Sequence, residues 1–206
     1  MKKTNNKGFS LVELIIVIAI MAILAGAIAP ALIKYIDKSR KSNDVSSAKT
    51  IKTAIETALG TESVYETLTN IDDTKDVTKI TILPGESTAS DTSTGTSAVS
   101  ITDCTAQTGS ASLTECAKSI GSNIGEKTPK TKYKKEINNE GDPKGAGTKF
   151  APQSFVAFIT PGGTVYVCVA PASGTGASCD PDGGSSGSAS FTSCAPLAPE
   201  VCKGYQ

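Results

Sequence analysis

The segment from Phe9 to Ile33 constrains this chain more than any other: about 25 consecutive residues carry one formal charge, that of Glu13. Roughly 20 apolar residues suffice for a helix to cross a bilayer, so a run of this length calls for lipid or for other protein around it. A carboxylate near the middle of a membrane costs about 2.5 to 3.5 kcal/mol on insertion scales, and an intramembrane ionisable residue marks a functional site whose partner has to be found. Any account of the chain has to explain Glu13.

Composition removes several classes of function. The 206 residues hold 20 basic and 20 acidic side chains, so the net charge is zero and no strong field points to nucleic acid or to basic partners. Loss of the first eight residues would take Lys2, Lys3 and Lys7 with it and leave the remainder slightly acidic. There is no His, which excludes Ser/His/Asp and Cys/His triads, His-containing zinc sites and pH switching by imidazole. The six cysteines, Cys104, Cys116, Cys168, Cys179, Cys194 and Cys202, all lie in the distal half, and none forms a C-x-x-C pair. Behind a membrane-directed segment, an even number at loop-length spacings reads as disulfides in an oxidising, external compartment. Neither a metal nor a cofactor is expected.

Two ordinary readings of the apolar run fall short. Three lysines followed by an apolar stretch fit a secretory signal peptide, with small residues at Ala25, Ala27 and Ala29 for a cleavage site, but Glu13 then sits inside the hydrophobic region and Pro30 follows the cut. A plain anchor fits the length, yet the lysines before the run and the mixed charges from Lys34 to Lys41 give no clear positive-inside asymmetry. An anchor also has no use for a buried carboxylate.

The third reading rests on Lys7-Gly8-Phe9-Ser10-Leu11-Val12-Glu13-Leu14-Ile15. This stretch resembles the processing motif of type IV prepilins: a short basic leader ending in Gly, then Phe, then Glu as the fifth residue after the cut. The likeness covers about the first 35 residues directly, and Pro30 falls where many members of that family have a helix-kinking proline. It implies cleavage between Gly8 and Phe9 by a membrane-embedded prepilin peptidase, with N-methylation of Phe9. The new amino terminus would lie in the same apolar layer as Glu13 of a neighbouring subunit. A buried charge is tolerable when paired, and such a pair serves register more than net stability, because desolvation offsets much of its attraction.

Beyond the motif, Ser10 to about Leu59 reads as one helix in two halves, roughly 75 Å long at about 1.5 Å per residue. The first half is apolar all round; in the second, Val45, Ala48, Ile51, Ile55, Ala58 and Leu59 share one face, and Gly60 is the stop. Pro30 lacks an N–H and crowds the carbonyl of Gly26, so a kink or local melting is expected between them. Glu62 to Leu68 suggests a short helical turn, and Lys79 to Leu83 a strand stopped by Pro84-Gly85. Glu86 to Ser100 reads as an exposed Ser/Thr-rich loop, and Ser112 to Ile120 as a short helix opened by a capping box. Lys127 to Lys149 is basic, but sparse aromatics and interspersed acids favour a solvated loop over a nucleic-acid surface.

The clearest strand signal is late. Phe155 to Thr160 and Thr164 to Val169 flank Pro161-Gly162-Gly163 as a hairpin, apolar on both faces and therefore central, under the amphipathic half of the helix. After Ala170 the chain is dominated by Gly, Ser, Pro and Cys and is expected to depend on disulfides. Six cysteines allow fifteen pairings, of which Cys104 with Cys116 is the natural local one. The family resemblance adds that a disulfide often pins the carboxy-terminal loop to the sheet, which would suit the region from Cys168 to Cys202.

The expected architecture is α+β: a long protruding amino-terminal helix packed against a small antiparallel sheet with disulfide-stapled loops. Its parts are a leader peptide (1–8), a transmembrane and filament-core helix (9–33), an amphipathic helix (34–60) and a globular head (61–206). The resemblance implies a structural subunit of a type IV pilus or similar filament, held in the cytoplasmic membrane as a single-pass precursor and extracellular once assembled. Its partners would be further copies in a helical filament, prepilin peptidase, and an assembly machinery with a motor ATPase. Nucleic acid is not expected as a partner. A secretion-system pseudopilin or minor pilin is the alternative of the same class; a membrane-anchored adhesin or secreted enzyme is that of another, although no spacing of polar residues singles out an active site.

Overall fold

A computed structural model describes residues 9–70, 77–88, 98–104, 111–138, 149–171, 178–180, 190–192 and 194–206. It divides into two units, one up to Ser39 and one from Arg40 to Gln206. The apolar run and the stripe beyond it form a single helix, α1 (Leu11–Leu59), which passes through Pro30 without interruption. Local melting between Gly26 and Pro30 is therefore not what the structure holds: proline removes one backbone donor, and the helical bonds on either side carry the helix across the gap. At Gly60 the helix stops, with the Gly60 and Thr61 N–H groups donating to the carbonyls of Thr57 and Ala58.

In the unit from Arg40 onwards, α1 buries Asp44, Ala48, Ile51, Ala54, Ile55 and Ala58, at three- and four-residue intervals on one face. After α2 (Glu62–Thr69) come β1 (Thr78–Ile82) and β2 (Val99–Thr102). Pro84 and Gly85 turn the chain beyond β1, and Gly85 takes the positive φ of 74° that its lack of a Cβ permits. Part of the Glu86 to Ser100 segment is thus not an exposed loop, since Ala98 and Val99 are buried and β2 pairs antiparallel with β1. Residues 89–97 lie outside the described ones.

Helix α3 (Leu113–Ile124) runs four residues further than its sequence signal suggested. The capping box is complete: the Ser112 hydroxyl accepts from the Glu115 N–H, and the Glu115 carboxylate accepts from the Ser112 N–H at 2.8 Å. These bonds from Ser112 hold the Glu115 carboxyl below its ordinary range. Asn123 near the end of α3 donates through Nδ2 to the Ala54 carbonyl of α1 at 3.2 Å. The basic segment that follows alternates: Lys127, Lys130, Lys132, Lys134 and Lys135 are exposed while Thr128, Thr131 and Tyr133 are buried. Short strands β3 (Ile137–Asn138) and β4 (Lys149–Phe150) pair with each other.

The hairpin read from sequence is β5 (Ser154–Ile159) and β6 (Val165–Ala170), and β5 is buried along its whole length. Its loop closes with Gly163 donating to the Thr160 carbonyl at 2.9 Å, and Gly163 has φ of 78°. After β6, β7 (Ser178–Asp180) and β8 (Ser190–Thr192) form a separate pair, and β9 (Ala195–Ala198) adds to β6. The main sheet has the order β2-β1-β5-β6-β9, antiparallel throughout. The segment beyond Ala170, expected to depend on disulfides alone, therefore contributes a fully buried edge strand. Pro196 is admissible in β9 because an edge strand has one side without a ladder to complete.

The stripe of α1 shares one core with Ile80, Ile82, Phe155, Ala157, Val167, Val169 and Leu197. The opposite face of the sheet carries a smaller cluster of Val77, Val156, Phe158, Cys168, Ala170 and Cys194. This is the long amino-terminal helix packed on a small antiparallel sheet that the sequence predicts.

Candidate assembly segment at the amino-terminal helix

Gly8 lies outside the described residues, and Phe9, 85% exposed, is the first described residue of the apolar run. From Phe9 to Ile36 every large apolar side chain is exposed, and the first buried residue of α1 is Asp44. Soluble monomers rarely leave a contiguous apolar surface of more than a few hundred Å² in water, so this surface is suited to lipid or to other helices. By length and composition α1 can cross a membrane.

Within that surface Glu13 has a local partner. Its Oε2 accepts the Ser10 backbone N–H at 2.9 Å, while the Ser10 carbonyl accepts the Leu14 N–H at 3.2 Å. Ser10 thus stands at the helix N-cap, with Glu13 three residues later closing over an amide that would otherwise lack a partner. The carboxylate also faces the positive end of the helix dipole. Its other oxygen retains full acceptor capacity, so one carboxylate can cap its own helix and still receive a cation. The sequence carries a signal for this cap, since Ser10 and Glu13 have the same S-x-x-E spacing as Ser112 and Glu115.

The structure sorts the cysteines by position. Cys104 follows β2, Cys116 is buried on α3, and each thiol is pushed up, chiefly by burial; the negative charge of a Cys104 thiolate would act on Cys116 in the same direction. Cys168 and Cys194 share the cluster on the outer face, whereas Cys202 lies in the helix-side core. The sheet therefore stands between Cys168 and Cys202. The Cys179 side chain is outside the described ones, and no disulfide is formed among the described cysteines.

Residues 3–29 match the family model described as the prokaryotic N-terminal methylation motif. The chain is 46% identical over 57 residues to the type IV major fimbrial protein FimA of Dichelobacter nodosus, covering 28% of this chain and 36% of that protein. It is 48% identical over 54 residues to fimbrial protein Q of Moraxella bovis, covering 26% and 34% respectively. The likeness thus spans about a third of the length of these relatives, and no solved structure matches the chain. Over this shared segment, the methylation motif and the likeness to fimbrial proteins mark the chain as type IV pilin-like.

Proposed function

We propose that the chain is a structural subunit of a type IV pilus or closely similar filament. The supporting observation is the conjunction of a methylation motif over residues 3–29 with a 49-residue helix whose apolar side chains stay uncovered from its first turn to Ile36. Prepilin peptidase cuts between Gly8 and Phe9 and Phe9 is methylated. The precursor waits as a single-pass protein of the cytoplasmic membrane until the assembly machinery and its motor ATPase lift it into a helical array of copies. There the apolar half of α1 exchanges lipid for neighbouring helices, and Glu13 meets the new amino terminus of another subunit. The role is structural and needs no cofactor.

Cys104 and Cys116 are proposed as one disulfide of the extracellular form. They flank residues 105–115 at the junction of β2 and α3, and both belong to the helix-side packing. Mass spectrometry of the mature protein tests the whole reading. A methylated Phe9 terminus in purified filaments is the expected result, whereas an end at Ile28 or Pro30, or an uncut Met1, refutes it. Filaments in which the chain is only a trace component assign it to a minor or pseudopilin role.

A further inference from the structure

Asp44 is the only charged residue among the described ones that is fully buried, and it lies on α1 one turn beyond the start of the second unit. Its position is in phase with Ala48, Ile51, Ile55 and Ala58, so a carboxylate occupies the first place of an otherwise apolar stripe. Burial of an ionised carboxylate is costly unless donors replace its water. Three donors do so here. Oδ1 accepts the Lys132 backbone N–H at 2.6 Å, and Oδ2 accepts both the Tyr133 N–H at 3.0 Å and the Tyr205 hydroxyl at 3.1 Å.

These donors come from two segments remote in sequence. One is the 131–133 stretch, whose Thr131 hydroxyl is tied to the Pro152 carbonyl. The other is the 3-10 turn Lys203–Tyr205, which hangs from β9 through the Cys202 N–H to the Pro196 carbonyl. The two tyrosine rings meet edge to face, 5.9 Å between centroids at 64°, and Lys41 of α1 sits 5.4 Å from the centre of the Tyr133 ring. Burial, and after it the negative charge of Asp44, push the Tyr205 hydroxyl far above its usual range, so it keeps its proton and remains a donor.

We propose that Asp44 is a conformational latch: by accepting these three hydrogen bonds it closes the 131–133 segment and the carboxy-terminal turn onto α1 and fixes where the helix becomes part of the head. Hydrophobic packing alone does not set this junction, because apolar contacts are non-directional whereas the carboxylate demands donors at defined places. Asp44 acts in this way in a single chain, whether or not filaments form.

Hydrogen exchange of the full chain in detergent micelles, read by mass spectrometry with single-residue fragmentation, tests it. In Asp44→Asn the side chain keeps its shape but offers one acceptor oxygen and turns an NH2 toward the donors. Exchange at Lys132, Tyr133 and residues 202–206 should quicken by about ten- to a hundredfold, while β5 and β6 keep their protection. Tyr205→Phe should release 202–206 and leave Lys132 and Tyr133 protected. The latch is overturned if Asp44→Asn leaves Lys132 and Tyr133 unchanged, or if β5 and β6 lose protection in step with them. Should Asp44→Asn yield no folded protein, Tyr205→Phe decides alone: unchanged exchange at 202–206 rejects the proposal.

Discussion

Ile18 and Ile51 lie on the same helix and are the same residue, yet truncation of each should register in different measurements. Ile51 is fully buried between α1 and the sheet, whereas Ile18 is 55% exposed in the apolar run. Ile→Ala removes three carbons, which at about 0.8 kcal/mol each gives roughly 2.4 kcal/mol for transfer alone. The cavity left in a packed core raises the expected loss for Ile51→Ala to about 3 to 4 kcal/mol. For a head of this size that corresponds to a fall in Tm of about 6 to 16 °C. Ile18→Ala removes the same atoms from a surface that the head does not cover, so the head should melt within about 0.5 kcal/mol of wild type. The assay is thermal unfolding of the full chain in detergent, followed by near-ultraviolet circular dichroism. Tyr133 and Tyr205 are both buried, so the tyrosine signal reports head packing rather than the micelle-bound helix. Equal shifts for the two variants, or a loss below about 1 kcal/mol for Ile51→Ala, would refute the division of α1 into an uncovered half and a head-facing half.

Two further substitutions address single contacts. Glu13→Gln retains an oxygen to cap Ser10 but no charge, whereas Glu13→Ala loses both; both variants should insert at least as well as wild type, both should reduce filament yield in a shear-and-sediment assay, and normal yield from either removes the charge-pairing argument. Gly163→Ala forces a Cβ into the positive-φ position of the β5–β6 loop, where it would come within 2.9 Å of the Tyr65 ring, and should cost about 1 to 3 kcal/mol in the same melting experiment. A stability change under about 0.5 kcal/mol would mean that the loop relaxes freely.

What the sequence made legible follows from how far each element declares itself locally. The β5–β6 hairpin was readable because both strands are uninterrupted runs of β-formers around Pro161-Gly162-Gly163. The stripe of α1 was readable because its spacing is regular. Strand β2 was not, since Val99 and Ile101 emerge from a Ser/Thr-rich stretch whose composition signals a loop; pairing with β1 overrides that local preference. Strand β9 was hidden for a related reason: Pro196 argues against a strand in general and only the edge position allows it. Asp44 illustrates the limit most clearly. Its phase with the stripe was visible in the sequence, but its donors, at positions 132, 133 and 205, are set by tertiary structure. At the amino-terminal segment the motif singled out Glu13, and the S-x-x-E spacing of Ser10 and Glu13 carried the signal for the cap that the backbone geometry closes.

The place of β9 bears on how the chain is made. Its partner β6, and the core that both share with α1, are incomplete until residues near Ala198 have been synthesised. At about 5 to 20 residues per second, the stripe from Ala48 to Ala58 leaves the ribosome roughly seven to thirty seconds before β9. For that interval the amphipathic stripe waits beside unfinished strands, immediately behind an apolar segment that the head does not cover. The order of the sheet therefore makes translation of β9, rather than formation of the helix, the event that completes the core of the head.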